Sequence, residues 1–439
     1  MLLYILGLLI VAIGLALSIA LHEIGHLVPA KLFRVRVGQY MVGFGPTLWS
    51  TRRGETEYGI KAIPLGGYIS MAGMFPPAKV GTRARTARTG FMNTMVQDAR
   101  DASAETIPPG EEHRTFYRLP VWKRVIIMIG GPTMNLLIAV VVFTIVLCGF
   151  GTAQISTTVG SVSQCLVAAS AGTDTCAPDD PAAPAAAAGL LPGDTITAID
   201  STPITSWEQS TDIIRNNPGV SLTFTIERDG STRPLIATPQ KTERFVIGSD
   251  GQIQLDREGN PVTEEVGMLG FTAARKLVPQ PLGAVLPAVG NNIAQVGEMI
   301  LTLPARLVAV GEAAFGPGER DPNGPIGVVG VGRLAGEIST IDTIPFAERA
   351  SYLLGVVGSL NIALFVFNLI PLLPLDGGHI FGALWEGLRR RVAALFNKPD
   401  PGPVDTAKMV PLTLGVVIVL GAMTVLLVYA DLVKPISIL

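Results

Sequence analysis

The sequence predicts an α-helical membrane protein with about four transmembrane helices, a membrane-associated β-loop region and an extracytoplasmic α/β domain. The first observation is composition. Of 439 residues, 48% are hydrophobic and 15% are charged, against about 25% charged residues in a typical soluble protein. The second is a set of four apolar segments long enough to cross about 30 Å of hydrocarbon. The third is a long, more polar segment between the second and third of them.

The four predicted spans fall within residues 1–30, 121–151, 351–380 and 409–431. The first span lacks the basic start and the small-residue cleavage site of a secretory signal peptide, so we expect it to be retained. The net charge of −2 says nothing about nucleic acid, but the sequence has no basic run with interleaved aromatic residues, so we expect no nucleic-acid partner.

The distribution of Lys and Arg predicts the orientation of these spans. Residues 31–120 and 381–408 hold more Lys and Arg than Asp and Glu, and short loops of this kind face the cytoplasm. We therefore expect both termini and residues 152–280 outside the cell, in a multi-pass protein of the cell membrane. The amphipathic pattern of residues 281–350 predicts a region that lies on the membrane surface.

The outward domain has its own turn and strand signals. Gly189, Gly193 and Asp194 form a predicted tight turn before the alternating strand TITAID, and a helix around residues 206–216 and a second alternating strand follow. This order resembles a PDZ domain of the bacterial protease-associated kind, with the GL-x-x-GD signature matched. PDZ folds bind extended peptide ends by adding a strand to a sheet edge.

Two cysteines of the outward region flank a polar loop. Cys165 and Cys176 can form a disulfide only in an oxidising compartment. The predicted outward location therefore favours a Cys165–Cys176 disulfide, and the alternative is two free thiols.

The end of the first span carries the sequence HEIGH. His22 and His26 are four residues apart, so on a helix they present two imidazoles to one ion. Glu23 is placed beside them to accept a proton from water. This HExxH pattern is how zinc hydrolases generate a nucleophile near neutral pH. The alternative is a pair of helix-end histidines that are packed or hydrated at the interface.

A catalytic zinc site needs a third protein ligand. Glu55 and Glu57 lie at a sequence distance suited to a thermolysin-like site, but they belong to a charged loop. Asp376 follows the third span where prolines interrupt an apolar helix, and irregular backbone at membrane depth is tolerated where it lines a cavity. Both alternatives stay open on these residues alone.

HEIGH together with NLIPLLPLDG resembles the site-2 protease family of intramembrane metalloproteases. The second motif is matched at Asn368, Pro371, Pro374, Leu375, Asp376 and Gly377. PLGGYISMAG resembles the membrane-associated β-loop of the family, and GPTMN resembles its second-span motif. A PDZ-like domain between the second and third spans is typical of the bacterial branch that cleaves anti-sigma factors, and the whole is most like actinobacterial members.

The resemblance implies a set of roles. It implies one Zn²⁺ per chain held by His22, His26 and Asp376, with Glu23 as the catalytic base. We further expect the alternating stretch of residues 57–70, with Gly66, Gly67 and Tyr68, to hold an unwound substrate segment as an added strand. Asn368 is expected to bind the freed substrate backbone, and His379 and Asn135 are expected to support the ligands. The implied substrates are transmembrane proteins such as anti-sigma factors, cut first by a site-1 protease, and membrane lipid surrounds the chain. Two rivals are an HExxH protease with a glutamate as third ligand and a non-catalytic PDZ scaffold.

Overall fold

The computed structural model describes residues 1–77, 91–167, 176, 181–247, 253–256 and 260–437. Residues 78–90 of the predicted β-loop region lie outside this description. The chain divides into two compact units. The first unit combines Met1–Phe150 with Gln280–Leu439, and the second comprises Gly151–Pro279.

The described residues form ten α-helices. They are α1 (Leu2–Leu32), α2 (Phe91–Glu105), α3 (Val121–Thr144), α4 (Pro184–Ala187), α5 (Trp207–Asn216), α6 (Val285–Phe315), α7 (Val328–Thr340), α8 (Phe346–Asn368), α9 (Asp376–Leu395) and α10 (Val410–Val433). A π-helical turn, Ile145–Phe150, extends α3.

Five helical segments of the first unit are long and apolar enough to cross a membrane, as judged over the described residues. Four of them coincide with the predicted spans, and the fifth is Leu282–Phe315. That segment falls in the region that the sequence placed on the membrane surface. Its length and composition also suit a span, so the number of helices that cross, predicted as about four, stays a prediction.

A long, curved β-hairpin follows α1 and packs against it. Its strands are β1 (Val37–Arg53) and β2 (Thr56–Met71). Residues 39–42 of β1 pair on one side with residues 67–70 and on the other with residues 57–60. The first half of β2 is thus enclosed between two parts of β1, whereas residues 67–71 pair on one side only within the described chain.

Prolines separate the third predicted span from Asp376, as the sequence indicated. Within the predicted segment, residues 351–380, α8 ends at Asn368 and a separate helix, α9, starts at Asp376. Most of residues 381–408, predicted as a loop, is helical as well. Leu369 and Ile370 close the end of α8 with backbone bonds to Val366 and Phe367, and the prolines that follow prevent the helix from continuing.

A buried ion pair fixes α9 to α3. The Arg124 Nη2 atom donates to the Glu386 Oε1 atom at 2.5 Å, and both side chains are almost fully buried. The second carboxylate oxygen of Glu386 accepts from the backbone N–H of Val404 at 2.9 Å. A buried charge that loses its partner is strongly destabilising, so this pair holds the two helices together.

The second unit is built on an antiparallel sheet. Its strands are β3 (Thr152–Val162), β4 (Thr195–Ile199), β5 (Thr202–Pro203), β6 (Leu222–Arg228), β7 (Ser231–Ala237), β8 (Gln240–Phe245), β9 (Thr263–Met268) and β10 (Phe271–Val278). The order is β10-β3-β4-β6-β7, with β5 beside β4, and β8 and β9 form a separate pair. The helix expected around residues 206–216 is present as α5, and the core is centred on Val159, Ile196, Phe224 and Ile226.

The predicted turn before β4 is held by one carboxylate. Asp194 accepts from the backbone N–H of Leu191 at 2.8 Å and from Arg228 at 2.6 and 2.7 Å. These bonds from Arg228 hold the pKa of the Asp194 carboxyl below its usual value. Cys165 and Cys176, the expected pair, are joined by a disulfide.

Candidate metal centre

Three ligand atoms converge between α1 and the start of α9. The Nε2 atoms of His22 and His26 lie 3.2 Å apart. Each lies 3.3 Å from the Oδ2 atom of Asp376. The three side chains are the group of His, Cys, Asp and Glu residues in the described chain that could hold one metal ion.

The hydrogen bonding of His26 directs a lone pair into this triangle. Its Nδ1 atom lies 2.7 Å from the carbonyl oxygen of Ile127 in α3, and a carbonyl can only accept, so Nδ1 carries the proton. In the neutral ring Nε2 is then an acceptor that faces the Asp376 carboxylate, itself an acceptor. Two acceptors at this distance repel each other unless a cation lies between them.

The size of the triangle tests whether zinc fits. In a tetrahedral site, ligand bonds of about 2.0–2.2 Å place neighbouring ligand atoms about 3.3–3.6 Å apart. The three distances, 3.2, 3.3 and 3.3 Å, agree with this. The Oδ2 atom of Asp376 is also buried without a hydrogen-bond donor. The residues therefore fit a zinc ion with three protein ligands and an open fourth position.

Glycines allow α1 and α3 to approach closely enough to build the site. A Cβ atom on Gly25 would lie 2.3 Å from the carbonyl oxygen of Gly130, and one on Gly130 would lie 2.1 Å from that of Gly25. A Cβ atom on Gly131 would lie 2.2 Å from His26 Nε2. Any residue larger than glycine at position 131 would fill the space that the two histidines occupy. The motif GPTMN contained Gly131, but its role was not predicted, and neither were those of Gly25 and Gly130.

Two further glycines position Asp376. A Cβ atom on Gly377 would lie 2.3 Å from the carbonyl oxygen of Ile370, and one on Gly378 would lie 2.6 Å from the backbone nitrogen of Leu373. The first turn of α9 thus folds directly onto the chain that leads into it. This packing brings an aspartate from the far end of the sequence to the HEIGH helix.

Glu23 lies next to the β-hairpin. A Cβ atom on Gly67 would lie 3.0 Å from Glu23 Cγ, so residue 67 of the single-sided strand edge is adjacent to the predicted base. Gly66 has a positive φ of 120°, and Tyr68 donates to Gln39 Oε1 at 3.2 Å. Of the three predicted β-loop residues, Gly67 thus lies beside a residue of the HEIGH motif.

The structure gives the other predicted residues different surroundings. Asn368 donates from Nδ2 to the carbonyl oxygen of Leu364 in its own helix at 2.9 Å. His379 lies one turn beyond Asp376, and its ring contacts Phe116 with centroids 6.4 Å apart. Asn135 is fully buried, and its amide nitrogen and oxygen have no hydrogen-bond partner within the described residues.

The alternative third ligands are engaged elsewhere. Glu55 forms two hydrogen bonds with Arg114, at 2.8 and 2.7 Å, and these bonds lower the pKa of Glu55. Glu57 accepts from Gln39 at 3.1 Å. Neither carboxylate belongs to the group formed with His22 and His26, so the geometry favours Asp376.

Such a fold and site define a membrane metallohydrolase, with an HExxH helix and an aspartate ligand from a distant helix. The model of Peptidase family M50 matches residues 10–398. The chain therefore belongs to peptidase family M50, the site-2 protease family of zinc metalloproteases.

Curated relatives agree with this membership. The zinc metalloprotease Rip1 of Mycobacterium tuberculosis is 33% identical over 447 residues, which cover 99% of this chain and 98% of the relative. Rip1 of Mycolicibacterium smegmatis is 32% identical, with 98% of each chain covered. The metalloprotease MmpA of Caulobacter vibrioides is 29% identical over 86% of this chain and 85% of its own. The similarity to mycobacterial relatives confirms the expected actinobacterial character.

Proposed function

We propose that this protein hydrolyses peptide bonds within the transmembrane segments of single-span proteins, with anti-sigma-factor-like proteins as the substrate class. The convergence of His22, His26 and Asp376 at the end of an apolar helix carries this proposal. These three residues hold the zinc ion, which supplies the Lewis acidity that makes water nucleophilic near neutral pH. The rivals, a glutamate third ligand and a scaffold without catalysis, lack such geometric support.

Glu23 is the group that moves the proton. It follows His22 directly in α1, and in this role it accepts a proton from the attacking water and then delivers it to the leaving amine. His26 is buried against α3, whereas His22 and Asp376 are partly exposed, so water can reach the ligands from one side. Proton transfer in such a site depends on a positioned side chain.

A transmembrane substrate must unwind before it can be cut, because a helix hides its amide groups in its own hydrogen bonds. Residues 67–70 offer an edge to which an unwound segment can add as a strand. This edge passes beside Glu23 through Gly67. The sequence suggested the whole stretch from residue 57 to 70, but residues 57–60 are enclosed by β1. Asn368 is proposed to bind the freed backbone with its amide.

Proline substitution tests the role of the edge. Neighbouring backbone N–H groups in a strand point to opposite sides. Either Tyr68→Pro or Ile69→Pro therefore removes a backbone N–H group that points away from β1, toward the open edge. That variant should cleave a single-span substrate about fivefold more slowly, the effect of one lost hydrogen bond, with zinc content unchanged. Leu48→Pro, in the opposite outer part of β1, is the control and should cleave normally. Full activity of both edge variants would exclude strand addition here.

Asn135 and His379 are proposed supports of the site. The Nδ1 atom of His22 is buried without a partner in the described residues, as is the Asn135 amide. Asn135 lies one turn beyond Gly131, which contacts both histidines, and helical side chains lean toward the N-terminus. We infer that Asn135 accepts from His22 in the metal-loaded protein. Asn135→Leu should weaken zinc binding at least about tenfold, and Asn135→Asp should restore it. Equal affinities for the two variants would refute the pairing.

The sidedness and the second unit complete the proposal. Lys and Arg in residues 31–120 and 381–408 support a cytoplasmic location for these segments, with both termini and the second unit outside the cell. The antiparallel sheet with α5 and the Gly189–Asp194 turn supports a PDZ-like fold. In this arrangement the second unit meets the outer part of a substrate that a site-1 protease has shortened.

A further inference from the structure

Helix α9 carries an exposed apolar stripe that the catalytic role does not use. Its large apolar side chains are between 45% and 79% exposed, namely Phe381, Leu384, Trp385, Leu388, Val392 and Leu395. At 100° per residue these positions cover about 80–120° of the helix surface. The opposite face, with Gly382, Ala383 and Glu386, is buried. One side of α9 is thus fixed to the protein, and the other is open.

Two arginines border this stripe. On the helical wheel, Arg389 lies on one margin and Arg391 on the other. Neither has an ion-pair partner in the part of the chain that the structure describes. Arg390, by contrast, points toward the protein and contacts Glu386 at 3.1 Å. The charge next to the apolar stripe is therefore positive on both sides and is not neutralised by the protein.

The contacts of α9 with the predicted span α3 decide its orientation. Its first residue, Asp376, lies at the metal site, beside Gly131 of α3. Further along, a Cβ atom on Gly387 would lie 3.4 Å from the side chain of Val121, the first residue of α3. Helix α9 therefore runs beside α3 in the opposite direction, and its two bordering arginines lie just beyond the level at which α3 begins, where charged residues that flank a span meet the headgroups.

We propose that α9 is a lipid-binding helix that follows α3 to the membrane surface and binds anionic phospholipids there. The apolar stripe enters the boundary between headgroups and acyl chains, and Arg389 and Arg391 contact the headgroup phosphates. Long arginine side chains reach such groups while their apolar stems cover the stripe. Because α9 begins at Asp376, this contact also fixes the depth of a zinc ligand relative to the membrane surface.

The test measures which lipid touches the stripe. The full-length protein, with Trp49, Trp122 and Trp207 changed to Phe, retains Trp385 as its reporter and is reconstituted in mixed phosphatidylglycerol and phosphatidylcholine vesicles. Quenching is compared when one or the other lipid is brominated. We expect preferential quenching by phosphatidylglycerol, with a preference of up to about fivefold per arginine. The measurement reads lipid contact and does not depend on cleavage, and the zinc content of each variant verifies the fold.

Two charge variants make the result specific. The double variant Arg389→Gln/Arg391→Gln should lose the preference while Trp385 stays accessible to both lipids. The control Arg233→Gln/Arg275→Gln removes the same charge from exposed positions of the second unit and should keep the preference. Equal quenching by both lipids in the protein with native arginines would overturn the proposal. Quenching by neither lipid would also overturn it, because the stripe would then be covered by another protein segment.

Discussion

Glu23→Gln should abolish most of the proteolytic activity and leave zinc bound. Glutamine has nearly the volume of glutamate but cannot accept a proton from water, and the ligands His22, His26 and Asp376 remain unchanged. Because a positioned acid–base group contributes about 10²–10⁴-fold, cleavage of a single-span substrate should slow by that factor. The measurement is the turnover rate of reconstituted protein together with its metal content.

The variant Glu23→Asp distinguishes a loss of proton transfer from a loss of folding. Glu23→Asp keeps a carboxylate but withdraws it by one methylene, so it should retain more activity than Glu23→Gln. Both variants should bind as much zinc as the unmodified protein. Cleavage by Glu23→Gln within tenfold of the unmodified rate would mean that another group accepts the proton.

Gly131→Ala should destroy the metal site without touching a ligand. The added Cβ atom would lie 2.2 Å from His26 Nε2 and 2.8 Å from His22 Cε1. The histidines cannot withdraw freely, because His26 is hydrogen-bonded to the carbonyl of Ile127, which lies one turn before Gly131 in α3. We therefore expect zinc affinity to fall at least about tenfold, with a parallel loss of cleavage. Competition with a chelator measures the affinity.

A second glycine provides the matched control. Gly421 lies inside α10, and no other described part of the chain lies within 4 Å of the position that its Cβ atom would take. Gly421→Ala should therefore bind zinc normally, since alanine is accepted well inside helices. Zinc affinity that is equal in the two variants would show that the close approach of α1 and α3 does not shape the site.

The sequence predicted those parts of the site that depend on local pattern. The spacing of His22 and His26 defines one helical face, so two ligands followed from the motif alone. Asp376 could not be assigned as the third ligand from local pattern alone, because Glu55 remained an alternative until the resemblance favoured the aspartate. The pairing of Glu55 with Arg114 joins segments 59 residues apart in the chain, and no local sequence pattern predicts such a contact.

Long-range packing explains what the sequence did not predict. The contact between Gly25 and Gly130 depends on how two helices cross, which hydropathy does not encode. Residues 57–60 and 67–70 have similar alternating patterns, yet only the second segment has an open edge in the described sheet. The amphipathic region predicted for the membrane surface contains a helix of 31 residues, and its length and composition also suit a span, so hydropathy alone does not decide between the two placements.

Zinc content across two carboxylate variants tests the central claim most directly. The unmodified protein, Asp376→Asn and Glu55→Gln are purified in detergent, and bound zinc is measured per chain. The geometry predicts about one zinc in the unmodified protein, the same amount in Glu55→Gln and almost none in Asp376→Asn. Full zinc content in Asp376→Asn, with loss in Glu55→Gln, would contradict the assignment of Asp376 as the third ligand.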